Sequence, residues 1–219
     1  MPSSLSFTVS NAPPNRVVTV WLDNSLVAEL NFRGNGEVNV DRIIGASREC
    51  EQMQGHLLRV FASTESVVNQ LMLRIIKPCN SRRDFLDKWL VRSSLLTLED
   101  KKKCVLEWVD RSQHFNGAKR ERFDKLFTQF TRNRNMVVHG AAYADDNYEL
   151  WLDYFRGTPQ SQKLSKQFSD TCVDELLELQ KLLREFDESI FQSDKLETPT
   201  PPAPSTPTVV RYSGFESPP

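Results

Sequence analysis

Thr131-Arg132-Asn133-Arg134-Asn135-Met136-Val137-Val138-His139-Gly140 closes the most convincing amphipathic pattern in the chain. With Phe123 as origin and about 100° per residue, Leu126, Phe127, Phe130, Val137 and Val138 lie within about 60° of it, as on a helix with one buried stripe. Arg134 falls in the middle of that stripe. A guanidinium stays charged in a protein, so on a buried face it requires an anion: a carboxylate, a ligand phosphate or a group from a partner subunit. His139 follows five residues later. Gly140 comes directly after it, and a positive φ there would end the helix. A permanent cation and a titratable base are therefore expected together where a helix stops.

Working upstream, residues 55–77 carry Leu57, Leu58, Phe61, Val68, Leu71, Met72, Ile75 and Ile76 in one broad helical stripe, with Pro78 closing the segment. Glu65 lies inside that stripe, at about 80° from Leu57. An acid facing a helical core wants a cation, and Arg134 is the candidate. Two readings stay open. Glu65 is structural, in an ion pair or reaching to water from the edge of the stripe, or it orients Arg134 inside a site. Residues 85–96 and 98–110 read as two further helices, and Thr97-Leu98-Glu99-Asp100 has the cap and first-turn acids that start the second. Lys101-Lys102-Lys103 reads as a solvated helix face, with nucleic-acid contact as the weaker alternative, and Lys119-Arg120-Glu121-Arg122 is a basic cluster diluted by its Glu.

The flanks change character. Residues 1–15 read as an irregular lead-in with Pro13-Pro14 as a stop, and residues 16–45 as a small antiparallel β meander of strands 16–22, 26–32 and 37–41. Asp23-Asn24-Ser25 is its first turn and Gly34-Asn35-Gly36 its second. Beyond His139, residues 140–155 read as a short hairpin around Ala144-Asp145-Asp146-Asn147, ended by Gly157 and Pro159. Ser169 is placed to cap a last long helix through Val173, Leu176, Leu177, Leu179, Leu183, Phe186 and Ile190. Residues 55–193 thus form one helical domain. Residues 194–219 are too rich in proline to fold and are expected to be a disordered tail. Val209-Val210-Arg211-Tyr212 and Phe215 within it are either a docking peptide or a loose end. The fold class expected is mainly α: a helical bundle with a small N-terminal meander and a short hairpin after the motif helix.

Composition narrows the function. With 28 basic and 29 acidic side chains the net charge is −1, so nothing draws the whole chain to nucleic acid or to an anionic membrane, and any RNA binding must come from a local patch. No run approaches the roughly 18 apolar residues of a membrane span, and Met1-Pro2-Ser3-Ser4-Leu5 lacks the regions of a signal peptide. A cytoplasmic protein without membrane contact is expected. Cys50, Cys79, Cys104 and Cys172 are isolated, without CxxC spacing, and only His56, His114 and His139 stand beside them. Neither a metal nor another cofactor is expected.

Several consecutive helices, Arg134 and Asn135 at the end of one, His139 after Met136-Val137-Val138, then Gly140, a hairpin and a final long helix resemble the HEPN superfamily. Its signature is an Arg separated by four to six residues from a His, often with a polar residue directly after the Arg. The resemblance covers roughly residues 55–191. It implies a HEPN-like helical bundle and a metal-independent endoribonuclease, commonly a toxin or an anti-phage defence effector. Two protomers would bring their motifs into one cleft, and an antitoxin or defence partner would restrain them. The residues suit that chemistry, because RNA carries its own nucleophile in the 2′-hydroxyl. His139 would move protons and Arg134 would grip phosphate oxygens, with Asn135 hydrogen-bonding the imidazole or the RNA backbone. The expected product ends in a 2′,3′-cyclic phosphate, and DNA is not cut. Arg132, six residues before His139, also satisfies the spacing; Arg134 is preferred because it lies on the apolar face. In the branch that pairs with a nucleotidyltransferase antitoxin a Tyr stands two residues after the His. Here that residue is Ala141, with Tyr143 nearest, which puts silencing through such a Tyr in doubt. The alternative is a non-catalytic helical interaction module, with Arg134 and Glu65 as a core ion pair and His139 as a satisfied helix-end histidine.

Overall fold

The computed structural model describes residues 5–10, 15–76, 80–92, 95–112 and 117–196. The proline-rich tail from Thr198, with its Val209-Val210-Arg211-Tyr212 patch, lies outside these residues, as do Pro13-Pro14, Pro78, Cys79 and His114.

Strand β2 (Asn15–Leu22) and strand β3 (Ser25–Arg33) form a hairpin whose tip, Asp23 and Asn24, has φ of 48° and 62°. Two consecutive left-handed residues match the twist of the flanking strands, and Asp and Asn tolerate that conformation best after Gly. Val18 and Val20 on β2 and Ala28, Leu30 and Phe32 on β3 bury one face, as the period of two requires. Residues 5–10, expected to belong to an irregular lead-in, instead form strand β1 (Leu5–Ser10), antiparallel to β2.

The largest correction concerns the sheet. Strand β4 (Ala141–Asp145), strand β5 (Leu150–Arg156) and strand β6 (Thr158–Lys163) do not stand as a separate hairpin but join the N-terminal strands in one six-stranded mixed sheet, in the order β1-β2-β3-β4-β5-β6. The seam is parallel: Asn31, Phe32 and Arg33 pair with Tyr143, Ala144 and Asp145. A mainly α bundle carrying only a short hairpin is therefore overturned. Two small sheets would each leave an edge of unpaired N–H and C=O groups, and joining them satisfies both edges at once. The polar β6 sequence gave no alternation to read, since it is an edge strand with Pro159 on it.

The seam is reinforced by loops. Asp146 accepts a hydrogen bond from the Gly36 amide (3.1 Å), and the Tyr148 hydroxyl accepts one from the Asn39 amide (2.6 Å). Asp145 organises the β4–β5 turn, accepting from the amides of Asn147 and Glu149 and from the Trp151 indole.

Helix α1 (Val40–Ile76) begins fifteen residues before the expected start at Gly55, and the third meander strand at 37–41 does not form. Asn39 caps it, its Oδ1 accepting from the Arg42 amide. The stripe of Ile43, Ala46, Cys50, Leu57, Phe61, Val68, Leu71 and Met72 packs on the sheet and on helix α5 (Lys166–Leu196). Ser165 rather than Ser169 caps α5, accepting from the Phe168 amide, and Ser169 is buried inside the helix. Between α1 and the motif lie α2 (Asn80–Leu86), a π-helical turn (Asp87–Val91) and α3 (Leu98–Ser112). The motif helix is α4 (Gly117–His139), whose Phe123, Phe127 and Phe130 stack on one another and on Phe61 of α1.

The α3 start is as expected. The Asp100 amide donates to Thr97 Oγ1, while the Thr97 amide and hydroxyl both donate to Asp100 Oδ2. Those bonds hold the Asp100 carboxyl below its ordinary pKa. A carboxylate with a lowered folded-state pKa contributes stability that is present above its unfolded value and lost as pH falls through the folded one. Thr97→Ala is expected to cost about 1 kcal/mol at neutral pH, read from urea titrations. The gap to the parent should narrow as pH falls below about 4, where the unfolded chain takes up the proton first, and close once the folded Asp100 is protonated as well.

Candidate functional site

The C-terminal turns of α4 divide their side chains by angle. Asn133, Met136 and Val137 are buried, while Arg132, Asn135 and His139 are exposed. Asn133 is tied down inside the protein, its Nδ2 donating to the Cys172 thiol of α5. Burial pushes that thiol up to about 12, so it is held as a neutral acceptor.

Gly140 is the whole connection between α4 and β4, yet its φ is not positive. The expectation of a left-handed glycine stop is corrected. What demands glycine is crowding: a Cβ there would lie 2.4 Å from the Met136 carbonyl oxygen and 3.1 Å from that of Asp153. Both obstacles are backbone, and neither can rotate away. Gly140→Ala is expected to lower stability by about 1–3 kcal/mol and to displace His139, read as a fall in Tm with loss of whatever activity His139 supports.

Two clefts open on either side of this helix end. The first, of about 430 Å³, is lined by Arg132, Asn135, Met136 and His139 of α4 and by Tyr154, Phe155 and Arg156 of β5. Arg132 Nη2 donates to the Tyr154 hydroxyl at 3.3 Å. Among the described residues no carboxylate lines this cleft, and neither Arg132 nor Arg156 has an ion-pair partner. Phe155 is 76% exposed on its rim. In a chain of net charge −1, a local pair of unneutralised guanidinium groups beside an exposed imidazole and an aromatic ring has the chemistry to meet an anion such as a phosphate.

The second cleft, of about 490 Å³, holds Arg134 and Glu65 together with Arg92, Thr97, Leu98, Glu99, Lys101 and Thr131. Arg134 Nε donates to Glu65 Oε1 at 2.9 Å, with the two side chains 29% and 31% exposed, and its Nη1 donates to Asn135 Oδ1 at 3.2 Å. The ion pair anticipated between these residues is therefore present. Asn135 lines both clefts.

Arg134 and His139 are not brought into one cleft; Arg132 and His139 are. Seven residues bring a helix round to within about 20° of the starting direction, whereas five leave about 140° between side chains. Tyr154, Phe155 and Arg156 were not among the residues expected at the site. They reach it because β5 pairs with β4, directly after His139, and no local pattern marks them.

No protein-family model, curated protein or solved structure matches this chain. Among the described residues no helix is long and apolar enough to cross a membrane, and no three His, Cys, Asp or Glu side chains gather as metal ligands.

Proposed function

We propose that the cleft of Arg132, Asn135 and His139 cleaves RNA without a metal ion. The observation that carries this reading is the convergence of an exposed imidazole with two guanidinium groups in a cleft lined by no acid. The Arg-to-His spacing and its resemblance to the HEPN motif support it.

The chemistry follows from the residue types. His139 takes the proton from a ribose 2′-hydroxyl, whose oxygen attacks the adjacent phosphorus. The bond from phosphorus to the 5′-oxygen breaks, that oxygen takes up a proton from water as it leaves, and His139 returns its own proton to the solvent. One fragment ends in a 2′,3′-cyclic phosphate and the other begins with a 5′-hydroxyl. Arg132 and Arg156 balance the extra negative charge on phosphorus in the transition state. Phe155 offers a face on which a base stacks. Pairing of two copies, an antitoxin or defence partner and a role as a toxin or anti-phage effector rest on the motif resemblance alone.

The test is incubation of the purified protein in EDTA with total and transfer RNA, beside DNA of matched length. Fragments ending in cyclic phosphate from RNA, with DNA intact, are expected. Equal cutting of DNA, or RNA cutting that needs a divalent ion, would sink the reading. A second reading, a non-catalytic interaction module, is favoured by one observation: Arg134 is neutralised within the chain by Glu65.

A further inference from the structure

Lys101 and Lys102 belong to a run expected to be a solvated helix face, yet they are only 6% and 9% exposed. Lys101 stands four and eight residues before the buried Val105 and Val109, on the stripe that α3 turns inward. The two lysines are treated differently. Lys102 Nζ lies 3.2 Å from Glu99 and 3.1 Å from Asp124, and donates to Thr128 Oγ1. Lys101 Nζ donates to Asn69 Oδ1 at 2.8 Å, and among the described residues no carboxylate pairs with it.

Lys101 lines the second cleft with Arg134. The other charges there are matched: Arg134 with Glu65, Glu99 with Lys102, and Arg92 with both oxygens of Asp87. One cation is left over, and it is buried. An ammonium withdrawn from water is costly unless an anion faces it. Burial accordingly pulls the Lys101 pKa below its ordinary value, and the charge of Glu65 pulls it partly back. Arg134 also has capacity left. Its Nε and Nη1 are engaged, while its Nη2 makes no hydrogen bond among the described residues.

We propose that Lys101 and Arg134 form a phosphate-binding subsite. In the ribonuclease reading, on which this assignment of the ligand rests, it takes a flanking phosphodiester of the strand that is cut at His139. Asn135, shared by the two clefts, forms the ridge the strand crosses between them. Arg134 and His139 are separated by about 7.5 Å along the helix and by about 140° around it, so a strand that touches both runs over the helix end. The motif would then use Arg132 at the cleavage point and Arg134 to hold the strand in register.

The probe is a short 2′-O-methylated oligoribonucleotide, which lacks the nucleophile and is bound without being cut. Fluorescence anisotropy over a range of salt is compared for the parent, Lys101→Met and Arg134→Gln. Met keeps the length and volume of the lysine stem, so Lys101→Met should melt no lower than the parent. Lys101→Met is expected to bind about tenfold more weakly. Its plot of log affinity against log salt should be shallower by about 0.7, the loss of one phosphate contact on a single strand. Arg134→Gln should flatten the plot similarly. In a second arm, inorganic phosphate should raise the Tm of the parent and not of Lys101→Met.

Parent-like affinity and slope in Lys101→Met would overturn the subsite. A Tm response to phosphate without oligonucleotide binding would overturn the strand as its ligand. Because the probe is not cut, failure of the parent to cleave RNA while Lys101→Met still loses binding removes the ribonuclease and keeps the phosphate site. Normal cleavage with unchanged binding removes the site and keeps the ribonuclease.

Discussion

His139→Ala is expected to slow RNA cleavage by about 10³-fold at saturating RNA, with the affinity for uncut RNA unchanged. Positioned proton transfer contributes roughly 10²–10⁴-fold, and among the described residues His139 is the one imidazole lining the cleft that holds the two unneutralised arginines. It is exposed and makes no hydrogen bond among the described residues, so its removal strips no partner and opens no cavity in the core. The variant should therefore keep the parent's Tm. A variant that cuts as fast as the parent, with the same product ends, would move the chemistry away from α4. Loss of both cleavage and thermal stability would show His139 to be a structural residue, which is the prediction of the interaction-module reading.

Arg132→Ala should lower the cleavage rate by about 10²–10³-fold, as expected for removing a charge aimed at the transition state, and should leave stability almost unchanged. Its guanidinium is exposed, and its recorded partner is the Tyr154 hydroxyl at the long distance of 3.3 Å. Arg134→Ala should behave otherwise. Removing it leaves Glu65 without its cation, so a loss of stability of the order of 1 kcal/mol is expected for this partly exposed pair. The effect on RNA should fall mainly on KM, through the neighbouring phosphate, rather than on kcat. Glu65→Gln provides the control, since it frees Arg134 without removing it. A larger fall in kcat for Arg134→Ala than for Arg132→Ala, at unchanged Tm, would restore Arg134 as the arginine of the cleavage step.

Which arginine shares a cleft with His139 was legible in the chain, though not by the criterion of the apolar face. On a wheel started at Phe123, Arg132 stands at about 180° and His139 at about 160°, while Arg134 stands at about 20°. The same wheel that places Arg134 among the apolar residues therefore separates it from the histidine. Placement on the buried face marked Arg134 correctly as a residue needing an anion, and Glu65 supplies it. Lys101 was legible in the same way. A run of three lysines suggests a solvated face, but the period set by Val105 and Val109 turns the first of them inward.

Elements whose cause lies within a few residues could be read from the chain alone: the Thr97–Asp100 cap, the Asp23-Asn24 turn, and the β4–β5 hairpin with its Asp145 turn. So could the helical stripe that ends in His139, because propensity, capping and hydrophobic period act locally. The parallel seam between β3 and β4 joins residues more than a hundred positions apart through three paired residues. Its driving force is the pairing of edge N–H and C=O groups that every sequence carries alike, so no side-chain pattern announces it. That seam builds the β4–β5 hairpin that follows α4 into the six-stranded sheet. The sequence by itself determined the helix that presents Arg132, Asn135 and His139. Only tertiary structure decided that Tyr154, Phe155 and Arg156 face them, because strand pairing rather than local preference carries β5 to that place.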